Sequence, residues 1–225
     1  MGAFTYHGSF VGVNPRRWIH GPGFAFRATF TGTTTAPWLQ DVPPFADPGG
    51  PYEATVRCSP FVPLPPPIPE VLGLAIKIVD GRGKGHDQDL TFFSTFPSRF
   101  LRALPVPRVH ATGTNFTTAM SYRTNPPVRG APLVVFGLRF ELPPAARGAE
   151  SAFAELVSSL RPNVTLELLT ATSCGDWLAA GRLTDFQPDV PWGNAVRFRP
   201  RNTSDRLELT RFGQLRDSLY RHLQR

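Results

Sequence analysis

Lysine is almost missing from this chain: Lys77 and Lys84 are its only two, although Lys and Arg together number 24 and the formal net charge is +7. The arginines that make up the rest are scattered along the sequence and form no stripe, so the positive balance does not predict a nucleic-acid partner. Cysteine is equally scarce. Cys58 and Cys174 lie far apart and outside any CxxC spacing, which leaves thioredoxin-like and zinc chemistry unsupported and predicts two buried free thiols, with a disulfide between them as the alternative. No run of about 18 apolar residues exists, so no membrane span and no membrane partner are expected. The first residues, MGAFTYHGSFVGVNPRRW, lack a basic-then-apolar leader and a myristoylation pattern, which predicts a cytoplasmic protein. The five histidines do not pair at metal spacing, and no GxSxG elbow, HExxH or paired-carboxylate signature occurs.

What the chain has is turn formers and short β-rich runs. Twenty-five prolines and 20 glycines in 225 residues suit many turns and few long helices. Alternating apolar runs predict strands at 23–31, 53–58, 72–79, 89–94, 116–123, 133–142, 164–172 and 180–186. Eight is the strand number at which a closed barrel just fills with side chains. The stretches 40–52 and 60–69 read as Pro-rich loops, and GRGKG at 81–85 as a hairpin tip, since its spacing is not that of a phosphate-binding loop. Helical periodicity is weak at 97–104 and strong at 148–161, where Ala152, Phe153, Leu156, Val157 and Leu160 share a face. Residues 213–225 read as a further helix with Leu215, Leu219 and Leu223 on its apolar stripe. No linker or internal repeat interrupts the chain, so residues 1–225 are expected to form one mainly β, α+β domain.

Three segments acquire meaning together. Arg17-Trp18-Ile19-His20 precedes the first strand, Val56-Arg57-Cys58-Ser59 closes the second, and Arg216 to Tyr220 continues to Gln224-Arg225. With Gly73-Leu74-Ala75-Ile76-Lys77 and Asp89-Leu90 between them, their order resembles that of the haem catalase superfamily, and its short catalase-related (mini-catalase or catalase-like peroxidase) members above all. The resemblance runs from about residue 16 to the C-terminus.

This resemblance implies an eight-stranded antiparallel catalase-type β-barrel with a few flanking helices, binding haem b. It implies Tyr220 as the iron ligand, on a C-terminal helix with Arg216 one turn earlier, where the guanidinium can favour the phenolate. It implies His20 as the distal acid–base group, with Ser59 fixing its tautomer. Arg17, Arg57 and Arg225 would pair with the haem propionates, as cations pointing into the barrel. Ile19, Phe92, Phe93, Phe100 and Leu219 would wall the porphyrin. The implied activity is that of a haem peroxidase or catalase-related oxidoreductase acting on hydrogen peroxide or organic hydroperoxides. A hydroperoxide-rearranging enzyme or a non-enzymatic haem carrier or sensor are the alternatives. The implied partners are a peroxide and a small-molecule reductant, with the chain monomeric or homodimeric. One departure stands out: the family's Asn after D-L is absent, and Thr91-Phe92-Phe93-Ser94-Thr95 follows Asp89-Leu90, with Ser94 or Thr95 as substitutes.

Overall fold

The computed structural model describes residues 23–46, 50–61, 68–111, 113–118, 120–131, 133–140, 151–188, 196–211, 213–215 and 218. Among these, the strands in chain order are β1 (Phe24–Gly32), β2 (Tyr52–Pro60), β3 (Leu72–Ile78), β4 (Gln88–Thr95), β5 (Asn115–Thr117), β6 (Tyr122–Thr124), β7 (Val134–Phe140), β8 (Leu166–Thr172), β9 (Leu178–Pro188) and β10 (Leu207–Leu209). All pairings are antiparallel. The ladder runs β1-β2-β3-β4-β5-β7-β8-β9 and returns to β1, so eight of the strands close a barrel. Closure leaves these eight without a free edge. β6 and β10 pair with each other and join β7 where Tyr122 lies opposite Val134.

Period-2 alternation decides which side chains fill the barrel. Phe26, Ala28 and Phe30 of β1, Val56 and Cys58 of β2, Leu74, Ile76 and Ile78 of β3, and Leu90 and Phe92 of β4 belong to one buried cluster with Phe136 and Leu168. The register aligns them in rows: Phe24–Cys58–Leu74–Phe92 and Phe26–Val56–Ile76–Leu90. Each fully buried side chain of this size contributes about 1.5–3 kcal/mol. A one-residue slip of any strand would turn its whole apolar set to the other face. A 3-10 turn at Pro37–Leu39 leads the chain back so that Phe45 packs at 5.2 Å on Phe136 and edge-on at 6.1 Å against Phe30.

The stretch expected as one strand at 116–123 is divided. Thr118 is the reason: its hydroxyl takes the N–H of Phe136 at 3.0 Å, in place of a ladder carbonyl, and β5 ends there. The expected helix at 148–161 is found as α1 (Ala152–Ser159), begun by Ser151, whose side chain accepts from the Ala154 N–H. Ala152, Leu156 and Leu160 are buried, and Phe153 and Val157 pack partly buried against the core. Residues 97–104 form successive turns instead of a helix. The hairpin tip at 81–85 is confirmed: Asp80, Gly83 and Gly85 all have positive φ, and the Asp80 carboxylate caps the Gly85 N–H.

Candidate functional site

The side of β2–β4 that faces away from the barrel interior carries a different set of residues. Val56 and Cys58 point inward, so Arg57 and Ser59 point outward. The resemblance placed Arg57 toward the barrel interior, and the register corrects this: the inward positions are filled by apolar side chains. Cross-strand register aligns three outward rows: Ser59–Gly73–Phe93, Ala25–Arg57–Ala75–Thr91, and Arg27–Thr55–Lys77–Asp89.

The upper part of this outward face is covered. Ser59 is 2% exposed, Phe93 2%, Thr91 5% and Arg57 8%, whereas Arg27 and Glu53 stand in solvent. Small residues, Ala25, Gly73 and Ala75, lie between the larger ones and form a low bed. Phe61 meets the Phe93 ring edge-on at 5.7 Å. The chain enters β1 against the cation itself. A Cβ at Gly23 would lie 2.8 Å from Arg57 Cζ and 2.4 Å from the Cys58 carbonyl oxygen, so only glycine fits there.

The electrostatics of the face follow from burial. The Thr91 hydroxyl is buried without a hydrogen-bond partner, a condition that costs roughly 1–3 kcal/mol. Three other buried polar atoms share that condition among the described residues: the Tyr122 hydroxyl belongs to the interior cluster, and the nitrogens of Arg102 and Arg108 sit on guanidiniums bonded through their other N–H groups. One row below, Lys77 Nζ lies 2.8 Å from Asp89 Oδ1. Asp89 also accepts from the backbone N–H of Arg199 at 2.8 Å and from Asn202 Nδ2 at 3.0 Å, which ties residues 199–202 to the barrel wall. Burial pushes the Asp89 carboxyl above the usual carboxylate range, against the pull of Lys77 and these donors. Beneath Arg57, burial pushes the Cys58 thiol up to about 12, and the Arg57 charge opposes this only in part.

The residues singled out from sequence therefore separate. Arg57, Ser59 and Phe93 share the outward face. Phe92, their neighbour, belongs to the barrel interior, since adjacent strand residues face opposite ways. Phe100 is a surface residue, 75% exposed, so neither of these two phenylalanines shares the covered outward face with Arg57 and Ser59. Arg17, Ile19, His20, Arg216, Leu219, Tyr220 and Arg225 lie outside the described residues. The two hydroxyls expected to replace the family's Asn are engaged elsewhere: Ser94 Oγ donates to the Val106 carbonyl at 2.7 Å and accepts from the Leu72 N–H, and Thr95 Oγ1 bonds with Asn115 and Thr117. Thr91 was missed by sequence reasoning. Its only signal is strand parity with Arg57 and Ser59 once the register is known. The described residues contain no group of three or more His, Cys, Asp or Glu able to hold a metal ion, and no helix among them is long and apolar enough to cross a membrane.

No family model and no curated protein matches the chain. Solved structures do. A fungal catalase aligns over 95% of this chain and 59% of its own, with a TM-score of 0.55 and 12% identity. Catalase A from Saccharomyces cerevisiae aligns over 95% of this chain and 60% of its own, with a TM-score of 0.51 and 10% identity. The fold is thus a catalase-like barrel, and the chain spans about three-fifths of the length of these catalases.

Proposed function

We propose that this protein is a haem-dependent oxidoreductase of the peroxidase or catalase-related kind, acting on hydrogen peroxide or an organic hydroperoxide. The observation that carries the reading is the covered outward face of β2–β4. There a buried cation (Arg57), a buried hydroxyl without a partner (Thr91), Ser59 and the Phe93 ring surround a bed of small residues on a catalase-like barrel. The donor set fits a flat, apolar group bearing carboxylates.

Bound haem supplies a ferric centre able to accept the peroxide oxygen. The chain's own residues then divide the remaining work. Tyr220 offers a phenolate, the anionic donor that suits ferric iron, and Arg216 lowers the cost of its ionisation. Arg57, with Arg17 and Arg225, would hold the carboxylates of bound haem, a task suited to a guanidinium that stays charged when partly buried. The neutral imidazole of His20 takes a proton from one peroxide oxygen and returns it to the departing one, while Ser59 holds its other ring nitrogen in a fixed tautomer. Without the family's Asn, turnover with an organic reductant is favoured over dismutation of a second peroxide.

The test is peroxide consumption by the haem-supplemented full chain beside His20→Ala. The reading expects turnover in the wild type, a loss of about 100-fold or more in the variant, and haem retained in both. An inert wild type that still binds haem would mark a carrier or sensor instead.

A further inference from the structure

Large apolar side chains exposed among the described residues are concentrated in one place. Five of the seven, Phe96, Phe100, Leu101, Leu104 and Val109, lie between residues 96 and 109. A sixth, Ile68, adjoins them through the bridge between Glu70 and Arg108. Scattered exposed apolar residues need no explanation, but a gathered patch does.

The stretch is held firmly in the posture that exposes it. Bridges from Thr95 to Pro105 and from Glu70 to Arg108 fix its ends, and the Val106 N–H donates to the Ser94 carbonyl at 2.8 Å. Two successive turns, closed by Leu101 and Leu104 N–H groups on the carbonyls of Ser98 and Leu101, shape the middle. Arg102 is the inward anchor. Its guanidinium lies 4.5 Å from the Trp177 ring and donates to the Gly175 carbonyl at 2.8 Å, while Trp177 packs over Gly137, where a Cβ would meet the ring at 2.7 Å. With Arg102 turned in, Phe100, Leu101 and Leu104 are turned out, and Arg99 stands exposed beside Phe100.

Charge decides what suits this surface. The segment 96–110, FPSRFLRALPVPRVH, contains no acidic residue but three arginines and His110. Among the described residues, the acids near it are the mostly buried Glu155, 3.5 Å from His110 Nδ1, the buried Glu70 bridged to Arg108, and Asp176, whose charge acts on the inward Arg102; none is paired with the exposed Arg99. A second copy docked through this same surface would bury Arg99 in an interface whose segment 96–110 offers no carboxylate to pair with it. A bilayer with anionic headgroups gives acyl chains to the phenylalanine and leucines and phosphates or carboxylates to the arginine.

We propose that residues 96–109 form a docking surface for an anionic lipid membrane, with Phe100, Leu101 and Leu104 entering the headgroup boundary and Arg99 pairing with lipid headgroups. Such peripheral contact needs no membrane span, and it is independent of the haem reading.

Flotation of the full chain with phosphatidylcholine vesicles, with and without phosphatidylserine, tests this. The wild type is expected to float with the anionic vesicles and weakly or not at all with phosphatidylcholine alone. Phe100→Ser with Leu104→Ser should weaken binding about tenfold or more, and Arg99→Gln about fivefold, more at low salt. Because these side chains are exposed, circular dichroism melting of the variants should match the wild type. Absence of flotation with anionic vesicles, or flotation unchanged in the double variant, overturns the proposal. So does a concentration-dependent dimer in lipid-free solution that the double variant dissolves.

Discussion

Arg57 on β2 and Thr91 on β4 stand in one outward row of the barrel with only Ala75 of β3 between them, roughly 10 Å apart at two strand spacings. A cation at one end and a hydroxyl without a partner at the other make a poor arrangement for a wall with no ligand to meet. Packing alone would be better served by valine than by Thr91.

Thr91→Val is therefore expected to leave the haem-free protein as stable as the wild type, or more stable by up to about 1 kcal/mol, because it removes an unsatisfied buried hydroxyl of the same shape. Urea unfolding measures this. A loss of stability above about 1 kcal/mol would mean that the hydroxyl is bonded within the fold.

Asp89 is a structural anchor in this account, not a reacting group. Asp89→Ala strips Lys77 of a partner at 2.8 Å and leaves the Arg199 N–H and Asn202 Nδ2 without their acceptor. Stability should fall by about 3 kcal/mol, read as a lower urea midpoint. Limited proteolysis should show early cleavage near residues 199–202, the segment that Asp89 holds.

The two thiols should behave as opposites. Cys174 is exposed and Cys58 is buried with a thiol pushed up to about 12. Titration of the native protein with a thiol reagent at neutral pH should find Cys174 reacting and Cys58 silent until unfolding. The sign for stability follows: Cys58 has a raised folded pKa, so its contribution is complete below the unfolded thiol value of about 9 and is lost as pH rises from there toward about 12. Cys58→Ala should remove that alkaline part of the decline.

The barrel was legible in the sequence because eight runs of alternating apolar residues each carry the period of a half-buried strand, and the structure closes eight strands. The division of 116–123 was not, since a single hydroxyl on Thr118 capturing the Phe136 N–H leaves no mark in hydropathy. The site was legible as residue types and in part as placement. Motif order singled out Arg57 and Ser59, but the face they occupy depends on parity against Cys58 and Val56, which register alone supplies. The same parity parts Phe92 from Phe93 and brings in Thr91, whose role is invisible without its neighbours. Phe100 enters the expected wall through the resemblance alone, whereas the turns anchored by Arg102 expose it.

The most direct test of the central claim is the absorption spectrum of the purified full chain supplemented with haem, with Tyr220→Phe beside it. The account predicts a ferric Soret band in the wild type and a lost or strongly shifted band in the variant. A variant spectrum identical to that of the wild type, or a wild type without a Soret band, would contradict it.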